Sequence, residues 1–244
     1  MICRWPICSN PQLLTAFVLV LCEGAYGATV SGRFQITDSR LAAITKSKNY
    51  SGIVVWLEPV PGKTGAANPR THTILQKGKK FSPHISVVPV GTLVDFPNLD
   101  PIFHNAFSNF AGQPFDTGLY PPGTNYKVRF SRPGVVRIFC NIHSTMSAVI
   151  VVVGSPWFTN TGIDGAFSIP DVPPGEYVLK VFHERAGEGS LRAIEKRITV
   201  ADLALTLPLA SISESGFVDA GHKNKYGKDY GPEPPDRVPY GGKR

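Results

Sequence analysis

The chain is poor in the residues that much protein chemistry depends on. It contains only four cysteines and two methionines among 244 residues. Three of the cysteines, Cys3, Cys8 and Cys22, precede residue 27. If that region is removed, Cys140 has no intramolecular disulfide partner. Helical periodicity is almost absent. The apolar run LLTAFVLVLC at residues 13–22 falls short of the roughly twenty residues a membrane-spanning helix needs. There is no HExxH zinc pattern and no nucleophile motif. The basic residues are scattered, which argues against nucleic-acid binding. Their excess, 25 against 18 acidic residues for a net +7, suits an acidic partner protein or peripheral contact with an anionic membrane surface.

What the chain does have is turn punctuation and short β-prone runs. Its 22 prolines and 24 glycines separate segments such as GIVVWLEPV, HISVVPVGTLVDF, NYKVRF, VVRIFC, SAVIVVV and EYVLKVF. Runs rich in Val, Ile, Phe and Thr bounded by Pro and Gly predict an all-β chain of sandwiches or Greek-key barrels. At the start, Arg4, the short apolar run and the small residues of Ala25-Tyr26-Gly27 predict a signal peptide over 1–27, cut before Ala28. The expected location is periplasmic or secreted. An unpaired thiol is a liability in an oxidising compartment unless something protects it, and metal coordination does so.

The run VVRIFCNIHSTMSAVIVVV carries the chemistry. Cys140, His143 and Met146 lie three residues apart, a spacing that lets one short inter-strand loop turn all three toward a point. His104, followed by Asn105, supplies a fourth ligand from another loop. One thiolate, two imidazoles and a thioether form the ligand set of a blue-copper site, with methionine as a weak axial donor. A His/His/Cys set also accepts zinc. The Asn105 amide is placed to hydrogen-bond the cysteine loop, and its backbone N–H to donate toward the thiolate. Phe96, Phe103, Phe107 and Phe139 are candidates for a dry shell around the metal. His84 reads as structural, and His72, His183 and His222 have no ligand neighbours in sequence. No HxH pair occurs, so the histidine clusters of multicopper oxidases and copper nitrite reductases are missing.

From about Thr71 to Gly154 the chain resembles the cupredoxins of the plastocyanin and amicyanin class. The resemblance rests on FSPHISVVPVGTLVDFPNLD, the HN pair at 104, the PGVVRIFC strand and CNIHSTM, whose spacing looks most like amicyanin. It implies a Greek-key sandwich over residues 66–154, with His104, Cys140 and His143 as strong copper ligands and Met146 as the axial one. It also implies a single-electron carrier rather than an enzyme, with a redox partner protein and with His143 as the edge nearest the surface. Copper delivery or storage, or a surface-binding β module with a structural metal, remains open as an alternative.

TNTGIDGAFSIPDVPPGEYVLKVFHE resembles a carboxypeptidase-regulatory or transthyretin-like repeat. Asp164-Gly165 suits a tight hairpin and Pro174-Gly175 a type II turn. ATVSGRF and SGIVVWLEPV read as opening strands of the same fold. The expected organisation is therefore a small β-sandwich from residues 28–65 and 155–209, split by the copper module. Glu184, Arg185 and Glu188 read as a solvated strand end. Residues 210–244 are too polar to build a core and are expected to form a disordered tail, with Lys223, Lys225, Lys228, Arg237, Lys243 and Arg244 in solvent.

Overall fold

The computed structural model describes residues 27–60, 68–219 and 221–232. Apart from Gly27, the expected signal peptide lies outside them, as do Arg237, Lys243 and Arg244. The described chain is nearly all β. In order the strands are β1 (Ala28–Thr37), β2 (Val54–Pro59), β3 (Thr71–Thr73), β4 (Leu75–Gln76), β5 (Phe81–Ser82), β6 (Ile85–Pro89), β7 (Thr92–Pro97), β8 (Phe107–Ser108), β9 (Phe115–Asp116), β10 (Asn125–Phe130), β11 (Gly134–Phe139) and β12 (Ser147–Val153). They continue as β13 (Phe158–Asn160), β14 (Ala166–Val172), β15 (Gly175–Phe182), β16 (Lys196–Val200), β17 (Leu205–Thr206) and β18 (Ala210–Ser213), with short helices α1 (Ala42–Thr45) and α2 (Glu188–Ile194).

Two sandwiches result. In the first, β14 pairs antiparallel with β1, while β17 and β18 run parallel along successive halves of β1. The facing sheet has the order β13-β2-β15-β16. Alternation sends Val30, Phe34, Val55, Leu57, Ile169 and Leu179 into the core between them. Strands β3 to β12 lie in sequence between β2 and β13, and they build the second sandwich. Its sheets have the orders β10-β7-β3 and β6-β12-β11-β8-β9. Its core includes Val94, Phe96, Phe130, Val136, Ile138 and Ile150.

The sandwiches pack against each other through β12. Ala148, Ile150 and Val152 face its own core, whereas Val149, Val151 and Val153 meet Val54 and Phe182 of the first sandwich. Both faces of β12 are thereby covered, which explains why SAVIVVV is apolar without alternation. Each valine buried this way contributes about 1.5–3 kcal/mol. At the same junction His84 Nε2 lies 2.6 Å from Glu184 Oε2, and Arg137 donates to Glu184 Oε1 at 3.1 Å.

Local turn chemistry is mixed. Gly165 adopts φ +77°, and a Cβ there would lie 1.9 Å from the Phe34 carbonyl oxygen, so the turn into β14 requires glycine. Gly175 departs from the type II turn: it opens β15 opposite Val200, outside the positive-φ region, because the chain crosses between sheets there rather than closing a hairpin.

Residues 210–219 and 221–232 differ from the expected disordered tail, while residue 220 and residues 233–244 lie outside the described residues. β18 pairs with β1, and Glu214 is buried, accepting hydrogen bonds from Ser39 and Arg185 and pairing with His183 at 2.8 Å. Residues 221–232 bind the second sandwich through polar and aromatic contacts. Lys225, expected in solvent, pairs with Asp116 at 2.6 Å. Polar composition conceals this order because most of these contacts are backbone pairing and ion pairs, with Ile212 of β18 buried in the first core. For the same reason Glu184 and Arg185 are engaged in ion pairs, while Glu188 stays exposed beside Arg192.

Candidate metal centre

β11 and β12 form a hairpin whose last strand pair is Phe139 with Ser147, so Cys140 and Met146 occupy the next positions. Cys140 N–H donates to the Met146 carbonyl at 3.1 Å, and Met146 N–H donates to the His143 carbonyl at 3.1 Å. These bonds curl residues 140–146 into a compact loop. Continuing the inward alternation of Val136 and Ile138 turns Cys140 into the core.

His104 comes from the loop between β7 and β8. It exchanges backbone hydrogen bonds with Tyr120, His104 N–H to Tyr120 O at 3.3 Å and Tyr120 N–H to His104 O at 2.9 Å. The next residue locks the two loops together: Asn105 Oδ1 accepts Asn141 N–H at 2.6 Å, and Asn105 Nδ2 donates to Asp116 at 3.2 Å.

Cys140 Sγ lies 3.9 Å from His104 Nδ1 and 3.6 Å from His143 Nδ1. All three ligand atoms fall within 4.8 Å of one another, the one such group among the described residues. A four-coordinate centre with metal–sulfur near 2.3 Å and metal–nitrogen near 2.05 Å separates sulfur from nitrogen by roughly 3.6–3.8 Å. The donor set therefore fits a metal with little rearrangement. Relative exposure is 0 % for His104, Cys140 and Met146 and 3 % for His143. Met146 belongs to the same apolar cluster as Cys140.

The electrostatics favour ligation. His104 Nε2 lies 2.8 Å from Asp100 Oδ2, and Asp100 also accepts the N–H groups of Gly78 and Lys79. Burial pushes Asp100 up, but these backbone donors and His104 outweigh it and hold the carboxyl below its usual range. It accepts the Nε2 proton of His104 and leaves the Nδ1 lone pair facing the sulfur. Burial lowers the His104 pKa despite Asp100, so the imidazole is neutral, as a ligand must be. For Cys140, burial raises the thiol pKa, while the backbone N–H groups of Asn105, Ile142, His143 and Asn141 oppose that rise. Those donors make a cradle for a thiolate, whose charge a bound cation compensates.

The aromatic residues divide. Phe96 shares the cluster of Cys140 and Met146. Phe139 stands outside the expected dry shell, on the opposite face of β11, where its ring stacks on His222. Sequence reasoning missed Asp100, four residues ahead of His104 in NLDPIFHN, and Tyr120, whose hydroxyl donates to the Phe96 carbonyl at 2.8 Å and meets Gln76. The Asp100–His104 spacing was the available signal. His72 and His183 lie away from the group, beside Ser86 and Glu214.

No protein-family model matches the chain, and no curated protein matches it. Among solved structures, a copper-containing nitrite reductase from Thermus scotoductus SA-01 aligns at 30% identity over 39% of this chain, with TM-score 0.33. The aligned part spans 25% of that enzyme's chain. A purple cupredoxin from Nitrosopumilus maritimus aligns at 26% identity, covering 34% of this chain and 99% of its own, with TM-score 0.32. A reduced amicyanin variant aligns at 19% identity over 38% of this chain and 87% of its own, with TM-score 0.32.

Proposed function

We propose that the protein is a type 1 copper protein acting as a periplasmic or secreted single-electron carrier. The observation that carries this reading is the buried convergence of His104 Nδ1, His143 Nδ1 and Cys140 Sγ, with the tautomer of His104 set by Asp100. His104, Cys140 and His143 are the strong ligands and Met146 the axial one. Copper bound there supplies a one-electron Cu(I)/Cu(II) couple.

The chain's own residues make that couple reversible. Asn105 and the loop-closing bonds of Cys140 and Met146 hold the ligand loops in one arrangement, which keeps reorganisation small. The backbone N–H groups around the sulfur stabilise electron density on it, and the apolar core excludes water and raises the worth of each dipole. Burial of all four side chains favours a resident metal over rapid delivery to an acceptor. The surplus of basic residues suits an acidic redox partner, with charge steering the encounter.

The test is to load the purified chain with Cu(II) alone and record visible and paramagnetic resonance spectra beside Cys140→Ser. An intense thiolate-to-copper band with narrow hyperfine splitting, lost completely in Cys140→Ser while the fold persists, is expected. A colourless or weakly absorbing product sinks the carrier reading.

A further inference from the structure

The segment 221–232 touches the ligand loops from outside the sandwich core. Tyr230 Oη donates to the Cys140 carbonyl at 2.7 Å. A phenol has one proton to give, so its contact with His222 Nδ1 at 3.1 Å runs the other way, with the imidazole as donor. The same Nδ1 lies 3.2 Å from the Lys223 carbonyl, which can only accept; this independently places the proton on Nδ1, where it is shared between the carbonyl and the phenol oxygen. The His222 ring is held in turn, stacked on Phe139 with centroids 3.9 Å apart and edge-on to Tyr230 at 5.2 Å.

Lys225 makes a second attachment. Its backbone N–H donates to Asn141 Oδ1 at 3.0 Å, and its Nζ reaches Asp116 Oδ2 at 2.6 Å. Asp116 is the residue that accepts from Asn105. The segment thus engages the residue after Cys140 directly and the residue after His104 through one carboxylate.

Building on the copper reading, we infer that the C-terminal segment is a clamp on the metal loops and that Tyr230, oriented by His222, is a positioning residue for Cys140. A chain of donors, His222 to Tyr230 to the Cys140 carbonyl, polarises each bond in turn. It draws electron density from the cysteine and fixes its loop against the His104 loop. Drawing density away favours the reduced metal, so the clamp raises the reduction potential. In metal-free protein it keeps the thiol shielded.

The experiment compares full-length wild type, Tyr230→Phe and Tyr226→Phe, a control on the same segment whose target is 71 % exposed. With copper loaded, the reduction potential and the thiolate-to-copper band are recorded. Without metal, alkylation of Cys140 by iodoacetamide is followed by peptide mass spectrometry. Tyr230→Phe is expected to lower the potential, shift the band and speed alkylation roughly two- to tenfold, as loss of one hydrogen bond implies. Tyr226→Phe is expected to match wild type. A lowered potential or faster alkylation confined to Tyr230→Phe supports the clamp; a raised potential with slower alkylation, no change in both, or an equal change in Tyr226→Phe, overturns it. Should Tyr230→Phe fail to fold by circular dichroism, Lys225→Met, which cuts the ion pair to Asp116, is read by the same outcomes. If wild type forms no blue site the copper reading fails, and the alkylation assay still decides the clamp.

Discussion

Each sandwich holds a buried histidine whose Nε2 meets a carboxylate at 2.8 Å, and the two pairs serve different ends. In the second sandwich Asp100 orients His104, whose other nitrogen faces Cys140 Sγ at 3.9 Å. In the first, Glu214 holds His183, and His183 Nδ1 has no hydrogen-bond partner among the described residues. Glu214 also collects Ser39 and Arg185, so that pair fastens the chain after β18 to the sandwich. A carboxylate-oriented imidazole is therefore not a metal site by itself. What separates the two is the ligand hairpin of β11 and β12, which brings a thiol and a second imidazole to the free face of His104.

The widest effects come from the cores. Leu57→Ala in the first sandwich and Ile138→Ala in the second should each cost about 2–5 kcal/mol, because both side chains are fully buried and leave cavities. Urea unfolding measures the cost. Only Ile138→Ala, two residues before Cys140, should also alter the copper spectrum; an equal spectral change in Leu57→Ala would erase the distinction between the cores.

Asp100→Asn should weaken copper binding by roughly 10–100-fold, since the amide no longer imposes the His104 tautomer. His183→Gln should leave copper affinity unchanged while lowering stability. Competition titration against a chelator checks both. Met146→Leu should retain the metal and raise its potential, because a weak donor to Cu(II) is lost; release of the metal would show that the axial role had been misjudged.

The smallest effect concerns the junction. The hydrogen bond to Glu184 raises the pKa of His84 against desolvation. For Glu184, desolvation pushes upward, but the contacts with His84 and Arg137 leave it lowered. His84's contribution to stability is fully present below its unfolded value of 6.5 and fades as pH rises through the higher folded value. That of Glu184 is present above 4.5 and fades as pH falls through its lower folded value. Wild type should exceed His84→Gln in melting temperature most clearly between those limits, by a small margin because His84 is half exposed. A constant margin at alkaline pH would contradict the pairing.

Composition and punctuation determined the all-β character, because Val-rich runs bounded by Pro and Gly have few other ways to bury themselves. The CxxHxxM spacing was legible because its ligands are local: seven residues of one hairpin loop carry three of them. β12 was legible as a strand, but its burial on both faces was decided by the packing of the first sandwich on the second. Asp100 offered one signal, its four-residue spacing from His104, whereas Tyr120 and the 221–232 segment could not be read as parts of the site. Their partners lie far away in sequence, as Tyr230 lies from Cys140, or are backbone groups carrying no residue-specific signature. Local spacing is written in the chain, whereas hydrogen bonds between distant loops exist only once two sheets have packed and brought those loops to one end.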